Sequence, residues 1–166
     1  MFLLVFQRFD LGQCLSTNSN LNVSLVSGCF FIKNDILLNR KGLNKMQIET
    51  ITKSNLQIAH IIADEIVVSD AQSAIDLMMT VKYETGIKNI AISKNLIIDK
   101  FFILSSGIAG EILQKFINYQ FRIAIYGDYS KYTSKPLKDF IYESNKGHNI
   151  FFVESLETAV KYLTEK

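Results

Sequence analysis

Proline occurs once in the 166 residues, at Pro136, and cysteine only twice, at Cys14 and Cys29. No CxxC pair and no Cys/His spacing suited to a metal is present, so neither a zinc site nor a disulfide framework is supported, and a reducing, cytoplasmic setting is expected. Histidine is equally scarce: His60 falls in an alternating stretch and His148 follows a glycine stop, with no third ligand in spacing. No metal and no other cofactor is expected. The glycines form neither GxGxxG nor GxxxxGK[ST], which removes the two Gly-rich phosphate cradles, and no GxSxG elbow anchors a serine hydrolase. Long apolar runs are also missing. Residues 1–6 are apolar, but Arg8 and Asp10 end the run far short of the roughly 20 residues a membrane helix needs. No positive region precedes it, so it is a poor signal peptide as well. Excess charge is small, +2 overall, and unevenly placed: residues 1–45 carry five Lys or Arg against two Asp, whereas the remainder carries 13 against 14. A near-neutral body argues against a nucleic-acid surface built on counterion release.

What is present suits one α/β domain. Apolar residues make up 48% and charged residues 20%, ordinary for a globular chain long enough to bury a core. Residues 105–128, SSGIAGEILQKFINYQFRIAIYGD, read as one helix feeding one buried strand. Ser105 or Ser106 supplies the N-cap. Ile108, Ile112, Leu113 and Phe116 then recur at spacings of three and four, with Glu111, Gln114, Lys115 and Asn118 on the wet side. From Phe121 to Tyr126 the pattern becomes a nearly unbroken apolar run, as a strand covered on both faces of a parallel sheet requires.

The chain divides at Met46. Residues 1–45 are weakly patterned, with a Ser/Asn-rich stretch at 16–27 and a short apolar patch at 29–32 that could pair as a strand. The purine-rich codons expected for Arg40, Lys41 and Gly42, just ahead of Met46, suggest a translated leader, with Met46 as the true start. A genuine extension is the competing reading, and the intact mass of the native protein separates the two. Residues 46–166 form the domain. Ile48 to Ile51 and Leu56 to Ile62 read as a hairpin. Ser69 with Gln72 makes a capping box before a stripe of Ala71, Ile75, Met78 and Met79, and Gly86 stops that helix. Asn89 to Ile92 is a buried strand, and residues 94–104 are an apolar connection without period. Ser134 and Pro136 open a helix with Leu137, Phe140 and Ile141 inward, ending at Gly147. Asn149 to Val153 is the last strand, and Ser155 caps a helix whose core face is Leu156, Ala159, Val160 and Leu163. The order ββαβαβαβα means a small, mostly parallel or mixed sheet with helices packed on it.

This order, with DAQSAIDLMMTVKYETG, SSGIAGEILQKFINY, IAIYGDYS and SKPLKDFIYESNKG, resembles the bacterial domain of unknown function 4180 family across residues 47–166. The family implies no chemistry. In element order the chain is more distantly similar to the STAS domain of sulfate transporters and anti-sigma factor antagonists, and to SpoIIAA-like proteins. In the antagonists a phosphorylatable Ser within Asp-Ser-Ser-Gly-Leu-Gly opens the helix after the third strand. Ser105, Ser106, Gly107 and Ile108 resemble that motif, which implies Ser106 as phospho-acceptor, although Leu104 stands where the motif has Asp and Ala109 where it has Gly.

Ligands of open parallel sheets bind beyond the C-terminal strand ends, among helix N-termini. Ser69, Asp70, Ser105, Ser106, Asp128, Tyr129 and Tyr132 are expected on that edge. The plain structural alternatives are a Ser106 that only caps and an Asp128 that only makes a turn, and Glu111, near the start of the same helix as Ser106, is favoured there by the helix dipole alone. Lys131, Lys135 and Lys138 beside Tyr129, Tyr132 and Tyr142 form a basic, aromatic neighbourhood suited to an acidic partner or simply to solvent. The expected function is a non-catalytic regulatory or ligand-binding module, meeting a protein or small ligand at this edge. The competing class is a small enzyme using Asp128 as acid or base with Ser106 or Tyr132. A homodimer through apolar helix faces is a third expectation.

Overall fold

Ser54 and Asn55 both take positive φ, 51° and 64°, which is the backbone of a two-residue hairpin turn whose twist matches its strands. They join β3 (Gln47–Lys53) to β4 (Leu56–Ile62), paired antiparallel from Gln47–Ile62 to Lys53–Leu56. The computed structural model describes residues 46–165 together with β1 (Leu25–Val26) and β2 (Cys29–Ile32), which add antiparallel to the β3 side. The short apolar patch at 29–32 forms a strand. Residues 1–6, Cys14 and the question of a translated leader lie outside the described residues.

After the hairpin the chain alternates. α1 (Ala71–Thr85) leads to β5 (Asn89–Ser93), three short 3₁₀ turns lead to α2 (Ile108–Asn118), and β6 (Arg122–Tyr126), α3 (Lys135–Lys146), β7 (Ile150–Val153) and α4 (Leu156–Glu165) follow. The strands lie in sequence order, β1 to β7, and β4, β5, β6 and β7 are mutually parallel. β6 is an interior strand with a parallel neighbour on each flank, and Ile123, Ala124 and Ile125 are at most 1% exposed. Burying each isoleucine contributes about 1.5–3 kcal/mol, which is why this run tolerates no polar residue at its centre.

Each crossover steps to the next strand on the same side. Right-handed crossovers that all step the same way place their helices on one face. Accordingly Leu77, Ile112, Phe116 and Leu137 share one core cluster with Ile90, Ile92, Ile123 and Ile125. α4 folds onto the opposite face, where Ala159, Val160 and Leu163 meet Ala91, Ala124 and Phe151. The alanines at 91 and 124 give α4 its close seat. Arg122, at the start of β6, then holds the end of α4: its guanidinium donates to the carbonyls of Leu163 at 2.8 Å, Tyr162 at 3.3 Å and His148 at 2.8 Å. Arginine there satisfies carbonyls that a helix end leaves orphaned.

Three local expectations are corrected. α1 is capped by Asp70, whose carboxylate accepts from Ser73 N at 2.8 Å while Ser73 Oγ accepts from Asp70 N at 3.0 Å; Ser69 with Gln72 does not form the box. A carboxylate is the stronger acceptor and lies one residue nearer the helix. The buried stripe of α1 is Ala74, Leu77, Met78 and Val81, and Met79 is 36% exposed. α2 is capped not by Ser105 or Ser106 but by Gly107, at φ 76°, a left-handed conformation that admits glycine most readily. Its inner face of Ile112, Leu113 and Phe116 is as expected. Among the described residues no helix is long and apolar enough to cross a membrane.

Candidate functional site

The C-terminal ends of β5 and β6 open onto a surface depression of about 440 Å³, lined by Ile66, Lys94, Asn95, Ile97, Asp99, Lys131 and Tyr132. Lys94 is its organising group. The chain leaves β6 through Gly127 at φ 153°, where a Cβ would stand only 2.7 Å from Lys94 Cγ, so the bare glycine is what lets the lysine stem lie against the backbone. The Lys94 ammonium donates to the Asp128 carbonyl and sits 5.0 Å from the ring centroid of Tyr132 and 5.7 Å from that of Tyr129. An ammonium over two phenol faces is attracted by their quadrupoles. One of its three donors is used on Asp128, leaving it a fixed cation at the rim of the depression.

The tyrosines are fixed from below. Tyr129 packs on Phe102 and Phe152, and its hydroxyl donates to the Ile125 carbonyl at 2.9 Å. Burial, helped by the neighbouring Tyr132, pushes its phenol far above the ordinary value, so it stays protonated and committed to β6. Tyr132 stacks on Phe102 at 5.1 Å with its edge in the depression, and burial together with the charge of Asp99 raises its phenol too.

Asp128 is exposed, and both of its carboxylate oxygens are engaged by Ser130, one by the backbone N–H at 2.8 Å and one by the hydroxyl at 2.9 Å. Those bonds, with the lysines at 94 and 131, hold the carboxyl below its usual 3.8. It is a turn former whose anion is stabilised. Asp70 is held low in the same way by Ser73 and Ser69 at the start of α1. Ser69 Oγ donates to Asp70, so both serve the cap. Ser105 is exposed. Ser106 is also exposed, and its hydroxyl donates to the Lys100 carbonyl at 2.9 Å and accepts from Ile108 N at 3.3 Å.

Of the residues expected on this edge, then, only Tyr132 lines the depression; Asp128 and Tyr129 support it, and Ser69, Asp70, Ser105 and Ser106 form separate helix entrances. Lys131 belongs to it from the basic, aromatic neighbourhood, whereas Tyr142 is 63% exposed beneath Lys146. Glu111 lies apart, in a shallow groove with Ala71, Gln114 and Lys115. Lys94, Asn95, Asp99 and Ile66 were not expected. Lys94, Asn95 and Asp99 lie in the connection without period and Ile66 between β4 and α1, and the one available signal was a glycine, Gly127, directly after a buried strand. Among the described residues no group of three or more His, Cys, Asp or Glu could hold a metal ion.

No curated protein and no solved structure shows significant similarity to the chain. The family profile described as "Domain of unknown function (DUF4180)" matches residues 53–163, which span β4 to α4, the Lys94 depression and the loop after β6. The match covers about two thirds of the sequence, and the chain belongs to the domain of unknown function 4180 family.

Proposed function

We propose that the chain is a non-catalytic regulatory or ligand-binding module that engages an anionic group, on a small ligand or an acidic protein segment, at the Lys94 depression. The observation that carries this reading is the fixed ammonium of Lys94 beside Lys131 and Tyr132 in an open, polar cavity. A cation held in place loses little freedom on binding, which favours recognition. Asp99 on the same wall restricts the ligand to one that keeps its negative charge toward the lysines.

The small-enzyme alternative needs a closed pocket and a carboxylate with a shifted pKa, which for acid or base work near neutral pH means a raised one. Asp128 has the opposite: an exposed carboxylate, engaged at both oxygens by Ser130 and shifted down. That geometry favours the binding module. A cytoplasmic setting and a STAS-like arrangement belong to the same proposal, supported by a cysteine spacing that fits no CxxC or Cys/His motif and by the order ββαβαβαβα from β3 onward. Ser106 as a phospho-acceptor also belongs here, supported by its exposure and its place one residue before the cap of α2. Exposed Met79, Tyr83, Ile117 and Tyr119 on the outer helix layer support self-association, which light scattering after size exclusion tests directly; a clean monomer removes it.

The test of the main reading is an amide NMR titration of the full chain with inorganic phosphate and, separately, a dicarboxylate. Shifts confined to residues 94–99 and 129–132, weakened about tenfold or more by Lys94→Ala through loss of a charge-assisted contact, support it. Equal binding by Lys94→Ala, or no shift with either anion, contradicts it.

A further inference from the structure

On the face opposite α1, α2 and α3, three strands contribute one polar chain. Glu49 on β3 lies directly opposite His60 on β4, and Glu49 Oε2 is 3.3 Å from His60 Nδ1. From β6, beyond the intervening β5, the Tyr126 hydroxyl reaches His60 Nε2 at 2.9 Å. On β5, Ala91 is in register with His60 and Ser93 with Tyr126. The side chains of His60 and Glu49 are only 10% and 15% exposed, and His60 is the one buried polar residue among the described residues.

The hydrogen bonds assign the protons. A neutral imidazole carries one N–H; placed on Nδ1 it donates to Glu49, leaving Nε2 to accept from the Tyr126 hydroxyl. Burial holds His60 below its ordinary 6.5 although the bond and charge of Glu49 pull it up, so the fold favours this neutral state. The other described groups around it do not compete. β5 offers Ala91 and Ser93, and the Ser93 hydroxyl accepts from Asn95 N; Arg122, also on β6, is committed to carbonyls; α4 turns Ala159, Val160 and Leu163 inward, keeps Tyr162 against Phe151, and leaves Glu157, Lys161 and Glu165 exposed.

We propose that Glu49, His60 and Tyr126 form a proton-responsive latch that ties the protonation of one buried imidazole to the C-terminal end of β6. When a proton from solvent binds Nε2, both ring nitrogens become donors. The His60–Glu49 contact becomes an ion pair, and the Tyr126 hydroxyl loses its acceptor and must turn to accept. Tyr126 is followed at once by Gly127, on which the Lys94 stem rests, so the change is delivered into the loop after β6. This inference stands on the polar chain alone and does not require the anion-binding reading.

The experiment is a pH titration of the full chain from 8 to 5, following the His60 ring by ¹³C and ¹⁵N NMR and the amides of Gly127 and Asp128. The latch requires an Nδ1–H tautomer at high pH, a His60 midpoint below 6.5, and Gly127 and Asp128 shifts with the same midpoint. Tyr126→Phe should leave His60 titrating while the two amides stop following it; His60→Gln should abolish both responses. A His60 midpoint at or above 6.5, or flat Gly127 and Asp128 amides in the unsubstituted chain, overturns the latch without recourse to a variant. Unchanged following in a folded Tyr126→Phe overturns it equally.

Discussion

Replacing Gly127 with alanine is the sharpest perturbation of the Lys94 arrangement. The new Cβ would fall 2.7 Å from Lys94 Cγ and 2.9 Å from Cδ, inside any tolerated contact, and the backbone there is at φ 153°. A side chain held in that conformation costs about 1–3 kcal/mol. Lys94 must swing away, giving up its bond to the Asp128 carbonyl and its seat over Tyr132, the latter worth about 0.5–1 kcal/mol at an exposed site. The total is about 2–4 kcal/mol, which for a chain of this length lowers the melting temperature by roughly 5–15 °C. Equilibrium urea unfolding of the four members of a double-mutant cycle separates the parts. In a Lys94→Ala background the Cγ and Cδ clashes are gone and what remains is the backbone strain with a 3.3 Å approach to the residue-94 Cβ, so Gly127→Ala should cost about 1 kcal/mol less than it does alongside the lysine. An identical cost in both backgrounds would show that Lys94 does not rest on Gly127, and the reasoning about the depression would fall with it.

Four further outcomes follow from the same contacts. Arg122→Met keeps the aliphatic stem but deletes three bonds to carbonyls, so it should destabilise by about 1.5–3 kcal/mol and speed amide exchange at the end of α4, leaving α3 unchanged. Asn145 on α3 covers the outer edge of β7 with two bonds to the Phe152 backbone, at 2.9 and 2.7 Å; Asn145→Ala should therefore increase self-association on size exclusion, because an uncovered edge pairs with another chain. Because the folded state lowers the pKa of His60, stability from this group is complete above its unfolded value of 6.5 and falls as pH drops from there toward the folded value; His60→Gln should flatten thermal stability between pH 7 and 5. Ser106→Asp removes the donor to the Lys100 carbonyl, so amide exchange in residues 99–106 should quicken while β6 stays protected.

The large elements were legible because their signals are local. Ile112, Leu113 and Phe116 point one way from α2, and the run ending at Tyr126 is too apolar for anything but an interior strand. The phase of α1 was not legible, since Ala71, Ala74, Ile75, Leu77, Met78, Met79 and Val81 leave apolar residues on almost every side, and only docking against α2 and the sheet selects the buried set. Caps were ambiguous where several acceptors are adjacent: Ser69, Asp70 and Ser73 compete, and the carboxylate wins. The site was half visible. Asp128, Tyr129 and Tyr132 follow a buried strand, as ligand-edge residues do, but Lys94 depends on a contact with Gly127, and Tyr126 on one with His60. Pairings that distant leave no periodic trace in the sequence.

All of this requires β6 to lie between two strands that run its own way, since that is what brings the exit of β5 at Lys94 beside the exit of β6 at Gly127. Cross-strand NOEs decide it most directly. An interior, parallel β6 gives the evenly slanted pattern linking Ala91 to Ala124 and Ala124 to Phe151, with Ile123, Ala124 and Ile125 among the slowest amides to exchange. Close Hα–Hα contacts between β6 and either neighbour, or rapid exchange at Ala124, would contradict it.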